Sequence, residues 1–199
     1  MMAAVALATA APCLAQTAYY GGSPDRLSLT VDVRASVAAR CGFAPASAPG
    51  ASYVEPDFET QGFDRVAAFK LDCTSASRVG VVSSNGGLAT GAAAGPGYAA
   101  LAPYDVQLTL NGNALSATAT CGAKDLIASS NACAPTYLPA VGPNFTGPAS
   151  ASKGLRLPGP ATIGSDSTIR LKAGAYAGAS ILTAGTYVDT LTVTISPAT

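Results

Sequence analysis

The chain has 199 residues, and its 11 basic and 11 acidic side chains give a formal net charge of zero. This length suits a single domain. Because there is no excess of Lys or Arg to neutralise phosphates, nucleic-acid binding has no electrostatic basis. No apolar run approaches the roughly 18–20 residues that a membrane-spanning helix needs. The sequence lacks His, the commonest general base and metal ligand, so we expect neither an enzyme nor a bound cofactor.

The first fifteen residues have the pattern of a secretory signal peptide. Residues 1–11 are apolar or small, and small residues at Cys13 and Ala15 fit the −3 and −1 positions of a cleavage site before Gln16. We therefore expect residues 1–15 to be a signal peptide and the protein to be exported. No Lys or Arg precedes the apolar stretch, so the alternative of a hydrophobic N-terminal strand stays open.

A long alternating segment follows a short polar and aromatic leader. Between residues 27 and 37 every second residue is apolar, and the positions between them are polar: the apolar set is Leu27, Leu29, Val31, Val33, Ala35 and Val37. A period of two predicts a β-strand with one apolar and one polar face.

Shorter strand signals continue along the chain. Strands are predicted over residues 66–73, 78–83 and 168–171, with a turn at residues 85–87 and a small-residue loop at 89–103. Residues 106–110 and 114–120 flank Asn111-Gly112, which predicts a hairpin with a two-residue turn. Residues 121–159 are rich in Ala, Pro, Ser and Gly. No segment has a helical apolar period over three turns.

A second strong alternating segment lies close to the last residue. Over residues 186–196 one face carries Tyr187, Leu191, Val193 and Ile195, and the other carries Val188, Thr190, Thr192 and Thr194. Six to eight short strands separated by frequent turns indicate an all-β sandwich.

Four cysteines remain once the signal peptide with Cys13 is removed: Cys41, Cys73, Cys121 and Cys133. An even number in an exported chain predicts two disulfides, with three possible connectivities. The simplest pairing is Cys41–Cys73 and Cys121–Cys133, and each bond would stabilise the fold by about 3–4 kcal/mol in the loop-closure account. The alternative is a metal site, but the sequence has no His and no C-x-x-C pair.

The densest group of carboxylates is Glu55, Asp57 and Glu59 around Pro56. A glycosidase would place two carboxylates across a cleft, but few aromatic residues lie near this group. A solvated acidic loop is the favoured interpretation. We expect no catalytic, cofactor-binding or metal-binding residues.

Three features together resemble a known family. They are the alternating strand that ends at Val37 shortly before Cys41, the segment Lys70-Leu-Asp-Cys73-Thr, and the segment Ala184-Gly-Thr-Tyr-Val-Asp-Thr-Leu-Thr-Val-Thr-Ile-Ser196. The set resembles subunits of archaic chaperone–usher pili, the spore coat protein U domain family. The resemblance covers roughly residues 25–196 and is strong at both ends. The pair Cys121 and Cys133 and the Pro- and Gly-rich middle depart from it.

The resemblance implies an immunoglobulin-like Greek-key sandwich that lacks its last strand and carries an N-terminal donor strand. Residues 16–40 would be the leader and donor strand, with the odd-numbered apolar residues from Leu27 to Val37 as plugs. Residues 41–199 would be the pilin-type domain, whose acceptor groove is lined by Tyr187, Leu191, Val193 and Ile195.

The implied partners are copies of itself or sibling subunits, a periplasmic chaperone and an outer-membrane usher. The implied function is polymerisation into a surface pilus, or fimbria, that supports cell adhesion or biofilm formation. The protein would pass through the periplasm before reaching the cell surface.

Two alternatives remain open. The first is a complete sandwich whose N-terminal strand pairs within its own chain. The second is an exported, adhesin-like binding module for carbohydrate or another surface, with a stacking surface formed by Tyr19, Tyr20, Tyr98, Tyr104 and Tyr137. The low aromatic content of 7% and the absence of Trp weigh against the second alternative.

Overall fold

The computed structural model describes residues 32–48, 50–128, 130, 132–162 and 166–198. The chain divides into two units, Met1–Ser36 and Val37–Thr199. The proposed signal peptide and the donor positions Leu27, Leu29 and Val31 lie outside the described residues. Residues 32–36, the described part of the first unit, contain no helix or strand.

The described residues form thirteen strands and two short helices, all in the second unit. The longer strands are β2 (Phe63–Phe69), β4 (Ser77–Ser83), β8 (Asp105–Asn111), β9 (Ser116–Gly122), β11 (Ser167–Ala173) and β13 (Leu191–Pro197). The shorter strands are β1 (Cys41–Phe43), β3 (Leu71–Cys73), β5 (Leu88–Ala89), β6 (Tyr98–Ala99), β7 (Leu101–Ala102), β10 (Leu155–Leu157) and β12 (Ile181–Leu182). The helices are α1 (Phe58–Gln61) and a 3₁₀ turn at Ala123–Asp125.

Two antiparallel sheets form a sandwich, which confirms the predicted all-β class. One has the strand order β2-β11-β8-β9 and the other the order β10-β4-β13. Strand pairs β1–β3, β5–β7 and β6–β12 lie beside them. Alternate residues of the two sheets meet in the core, which includes Phe69, Val79, Val81, Val106, Leu108, Leu110, Leu155, Leu157 and Ile169, with Phe145 added from a loop.

Strand β4 is the centre of the smaller sheet and is covered on both faces. Val79 and Val81 point into the core and are fully buried. On the other face a Cβ atom at Gly80 would lie 2.8 Å from the Cα of Gly147 and 2.9 Å from the backbone nitrogen of Ala149. Glycine is therefore required here because another chain segment crosses the strand at close range.

The hairpin β8–β9 has a longer loop than the sequence predicted. Asn111 pairs with Ser116, which leaves four residues in the loop, and the backbone N–H of Gly112 donates to the carbonyl oxygen of Leu115 at 2.8 Å. The predicted two-residue turn is wrong because Asn113 is held by another segment: its side-chain oxygen accepts a hydrogen bond from the backbone N–H of Thr162 at 2.9 Å.

Two further strand predictions need correction. The predicted strand over residues 66–73 is two strands, β2 and β3, which belong to different sheets, so the chain changes sheet at Lys70. The predicted loop at residues 89–103 contains the short strands β6 and β7 and the end of β5. Both differences depend on contacts with distant strands, which alternation along one segment does not encode.

The predicted last strand, residues 186–196, begins later than expected. The structure starts β13 at Leu191, so Tyr187 lies before the strand. The physical reason is Asp189, whose carboxylate accepts hydrogen bonds from Ser83, Ser84 and the backbone N–H of Thr190. If Asp189 were an extended residue paired within the sheet, its side chain could not turn back to reach the neighbouring turn in this way.

The two disulfides are Cys41–Cys73 and Cys121–Cys133, the simplest pairing expected from the sequence. The first joins β1 to β3 between residues that are partners in the strand register. The second joins β9 to the segment that follows it. Within the part of the chain that the structure describes, no helix is long and apolar enough to cross a bilayer.

Asp105 fixes the segment after Cys133 onto the larger sheet. Its side chain is 1% exposed. The carboxylate accepts hydrogen bonds from the backbone N–H groups of Thr136 at 2.8 Å, Leu138 at 2.7 Å and Tyr137. Hydrogen bonds to a charged group contribute about 1.5–3 kcal/mol each, so this single side chain orders several residues.

We expect Asp105→Ala to lower the free energy of unfolding by about 3 kcal/mol, because three backbone donors lose their acceptor. Urea denaturation followed by circular dichroism measures the change. Asp72→Ala is the control: this half-buried residue of β3 makes no side-chain hydrogen bond within the described chain, and its loss should cost less than about 0.5 kcal/mol. Equal effects of the two substitutions would contradict the role of Asp105.

Candidate functional site

The two sheets meet along one side of the sandwich and separate along the other. Strands β9 and β10 pack against each other. Strands β2 and β13 are separated by a cleft of about 450 Å³ that both strands line. Among the described residues, β2 pairs only with β11 and β13 only with β4. Within the described chain, each wall of the cleft is therefore a strand whose outer edge is not hydrogen-bonded to another strand, although β1 packs beside β13.

The floor of the cleft is apolar. Its side chains come from the inner faces of three strands, with Phe63 and Ala67 from β2, Ile169 and Leu171 from β11, and Leu191 and Val193 from β13. Leu191 and Val193 are only partly buried, although they pack against the core. In a closed sandwich such inward-facing residues would be covered by a neighbouring strand. The cleft is thus a part of the hydrophobic core that opens to solvent.

Tyr187 closes one end of the cleft. Its ring centroid lies 5.5 Å from that of Phe58 in α1. Its hydroxyl group lies 2.8 Å from the carbonyl oxygen of Thr183 and 3.1 Å from that of Ala99, its two hydrogen-bond acceptors. The ring therefore packs on an apolar neighbour while its polar end is held by backbone groups.

Asp189 joins the two sheets next to Tyr187. Its carboxylate accepts hydrogen bonds from the hydroxyl groups of Ser83 at 2.6 Å, Ser84 at 2.8 Å and Tyr104 at 2.7 Å. The backbone N–H of Asn85 also donates to it at 3.1 Å. Burial raises the pKa of the Tyr104 hydroxyl far above its usual value, and the negative charge of Asp189 adds to the effect. The oxygens of Asp189 are occupied by structural hydrogen bonds, which leaves no free carboxylate for acid–base chemistry at this end.

A charged pair lies on the rim beside β2. Arg65 lies between Phe63 and Ala67 on the same face of β2 and lines the cleft. Its guanidinium group donates to the two carboxylate oxygens of Glu55 at 2.5 and 2.9 Å, and this hydrogen bonding raises the pKa of Arg65. Asp57 and Glu59 are exposed, as a solvated loop would predict. The pairing of Glu55 was not foreseen from the sequence.

The structure brings most of the sequence-predicted groove residues together. Tyr187, Leu191 and Val193 line the cleft, whereas Ile195 packs against the core without lining it. Strand β1 packs beside β13. Of the predicted donor positions, Val33, Ala35 and Val37 are described, and residues 32–40 contain no strand.

The opposite wall of the cleft was missed by sequence reasoning. Strands β2 and β11 supply Phe63, Ala67, Ile169 and Leu171. Alternation in both segments is a visible strand signal, but nothing in it shows that these strands face β13. Among the described residues no group of three potential ligands could hold a metal ion.

Comparison of the chain with models of protein families and with curated proteins gave no match.

The Tyr104–Asp189 hydrogen bond should make stability sensitive to alkaline pH. The pKa of Tyr104 is higher in the folded state than in the unfolded chain, where it is about 10. Below that pH both states keep the proton; above it the unfolded chain releases the proton first. The contribution of Tyr104 to the free energy of unfolding is therefore fully present below about pH 10. Above that pH it falls by up to about 1.4 kcal/mol per pH unit.

Tyr104→Phe should flatten this alkaline decline and cost about 1.5–3 kcal/mol at neutral pH, because a hydrogen bond to a carboxylate is lost. Urea unfolding of both proteins between about pH 8 and pH 11 measures the two effects. Tyr137 and Tyr187 also have raised pKa values, so the variant should keep part of the slope. Parallel curves for variant and wild type would contradict the assignment.

Proposed function

We propose that this chain is a structural subunit of a chaperone–usher type pilus that polymerises when an apolar strand of a neighbouring copy enters the cleft between β2 and β13. The observation that carries the proposal is the cleft itself, an apolar gap in the core whose flanking strands have, within the described part of the chain, no hydrogen-bonded strand on their outer edges. An incoming strand would gain main-chain hydrogen bonds from a free edge and place alternate side chains on the apolar floor. In this interpretation the domain is an immunoglobulin-like sandwich that lacks its last strand.

The sequence supplies a segment that suits this cleft. Residues 27–37 carry an unbroken apolar face, and the large side chains on it are Leu27, Leu29, Val31, Val33 and Val37. Burial of each would contribute about 1.5–3 kcal/mol, which gives an upper estimate of about 7–15 kcal/mol. This upper estimate, which counts neither the main-chain hydrogen bonds nor the cost of ordering the segment, could hold subunits together without covalent bonds.

Arg40 is the point at which the chain before the domain is fixed to it. The backbone N–H of Arg40 donates to the hydroxyl oxygen of Thr74 at 3.1 Å, and the N–H of Thr74 donates to the carbonyl oxygen of Arg40 at 3.0 Å. The chain is thus fixed next to β1, while Val37, three residues earlier, is 86% exposed. If the segment before Arg40 enters the cleft of another copy, donor and cleft form a heterologous contact, which generates an open fibre.

The open cleft also explains why helper proteins would be needed. An exposed apolar edge is an aggregation hazard until something pairs with it. A periplasmic chaperone would fill the cleft after export, and an outer-membrane usher would exchange it for the strand of the next subunit. The two disulfides fit passage through an oxidising compartment. Attachment or biofilm formation would be the role of the fibre.

The structure does not favour the alternative of a tyrosine-lined binding module. Tyr104 is 4% exposed and belongs to the core, whereas Tyr98 is 52% exposed and Tyr137 is half-buried. Tyr19 and Tyr20 lie outside the described residues. The side chain of Tyr104 is therefore unavailable for stacking on a sugar.

Donor and acceptor can be tested separately. The double substitution Val31→Asp and Val33→Asp should disable the donor, and Val193→Asp should disable the cleft, because a buried carboxylate without a partner is strongly unfavourable. Each variant alone should be exported yet fail to polymerise. A mixture of the two should form one-to-one dimers, since one retains an intact cleft and the other an intact donor. Gel migration before and after boiling detects the assemblies.

Val66→Asp is the matched control for Val193→Asp, because each substitution introduces one carboxylate into a strand that lines the cleft. Val66 lies on the outer face of β2 and is 55% exposed, so the same change in charge should leave polymerisation as in wild type. Fibres from either single-function variant, or a mixture that stays monomeric although both proteins are folded, would exclude donor-strand exchange through this cleft.

A further inference from the structure

A second cavity, of about 500 Å³, lies beside β10 and shares no lining residue with the cleft. Its walls come from β4, β9, β10 and the segments before and after residue 150. The polar and charged side chains that matter here are Arg78, Lys153, Arg156, Thr118, Asn144 and Ser152. Ligand sites are typically cavities of about 300–1,000 Å³ in which a few polar groups converge.

The charge of this cavity is entirely positive. Of the described residues that line it, Arg78, Lys153 and Arg156 are charged, and none is Asp or Glu. The ion pairs formed by the described residues use other cations, and none includes these three side chains. In a chain with equal numbers of acidic and basic residues, such a concentration is a distinct local feature.

Two of the cations face each other across neighbouring strands. Arg78 of β4 and Arg156 of β10 are direct partners in the antiparallel register. Directly opposed residues have Cβ atoms about 4.5–5.5 Å apart, and like charges at such positions are destabilising. An anion bound between the two side chains would remove this repulsion and could be bound through two parallel hydrogen bonds by either guanidinium group.

The local structure fixes the guanidinium group of Arg78 and the backbone of the turn that carries Lys153. Arg78 donates from Nε to the carbonyl oxygen of Ala151 at 3.0 Å and from Nη1 to that of Gly154 at 2.9 Å. These neutral acceptors orient the guanidinium group without cancelling its charge, and its remaining N–H groups have no partner among the described residues. The turn that carries Lys153 is held by the hydroxyl oxygen of Ser150, which accepts from the backbone N–H of Lys153 at 3.1 Å.

We infer that this cavity binds an acidic oligosaccharide, one that carries carboxylate or sulfate groups, with Arg78, Lys153 and Arg156 as the anion-binding side chains. Three observations support this class of ligand: the charge is positive, the surrounding groups are hydroxyl and amide side chains, and the volume exceeds that of a simple ion. The lining contains no aromatic residue, so recognition depends on charge rather than on stacking. The inference goes beyond the proposed assembly and does not depend on it.

Binding of the full-length protein to defined oligosaccharides tests the inference. Isothermal titration calorimetry at low salt would compare an oligogalacturonate, a sulfated oligosaccharide, a neutral oligosaccharide of equal length and inorganic phosphate. We expect at least one acidic oligosaccharide to bind, with affinity that falls as salt is added. The double substitution Lys153→Gln and Arg156→Gln should weaken this binding by at least about tenfold.

The matched control removes two charges elsewhere. Lys70 and Lys172 pair with Asp166 and Asp64, outside the cavity. Lys70→Gln with Lys172→Gln changes the net charge equally and should leave affinity within about twofold of wild type. Arg156→Lys keeps the charge but loses the planar guanidinium group, so its affinity should be intermediate. This variant replaces the glutamine variant in the test if the latter fails to fold.

Three outcomes would overturn the inference. The first is absence of binding by every acidic oligosaccharide at low salt. The second is equal loss of affinity in the cavity variant and the control, which would indicate a diffuse charge effect. The third is binding of phosphate or the neutral oligosaccharide as tight as that of the acidic ones.

Discussion

The hydrogen bonds of Asp189 hold together the region on which the cleft depends. This one carboxylate is bonded to the end of β4 and to Tyr104, which leads into β8 in the other sheet. Both sheets are therefore tied at the point where β13 begins. Breaking the hydrogen bonds of a carboxylate is energetically costly. Those of Asp189 therefore hold the chain before Leu191 in its irregular conformation and fix the position of the cleft wall. The apolar floor is organised without any added strand.

The two walls of the cleft differ in the way they meet solvent. Strand β2 carries Arg65 on its inward face, paired with Glu55, and an inward-facing charge is a known device against uncontrolled pairing at a sheet edge. Strand β13, from Leu191 to Pro197, has no charged residue. The wall formed by β13 is therefore uncharged, whereas β2 carries Arg65. If an apolar strand enters the cleft as proposed, this asymmetry would favour β13 as its neighbour.

Local patterns predicted the all-β class, most of the longer strands and the presence of two disulfides, with the observed pairing as the simplest of three possible connectivities. These features are encoded by alternation, turn residues and cysteine number. What the sequence could not show depends on contacts between distant segments. Asn113 lengthens a turn by bonding to Thr162, and the chain changes sheet at Lys70. The sequence also could not show that β2 and β11 form half of the cleft, because alternation identifies a strand but not the strand that faces it.

The position of the first disulfide has a mechanical consequence. Cys41 begins β1, which pairs with β3 over only three residues. If tension were applied to the residues before Cys41, three backbone pairs would offer little resistance to unzipping. The bond to Cys73 passes the load covalently from β1 to β3, and the short link after Cys73 carries it into β4 at the centre of the sheet. The domain can then be pulled from its N-terminal side without peeling away its first strand.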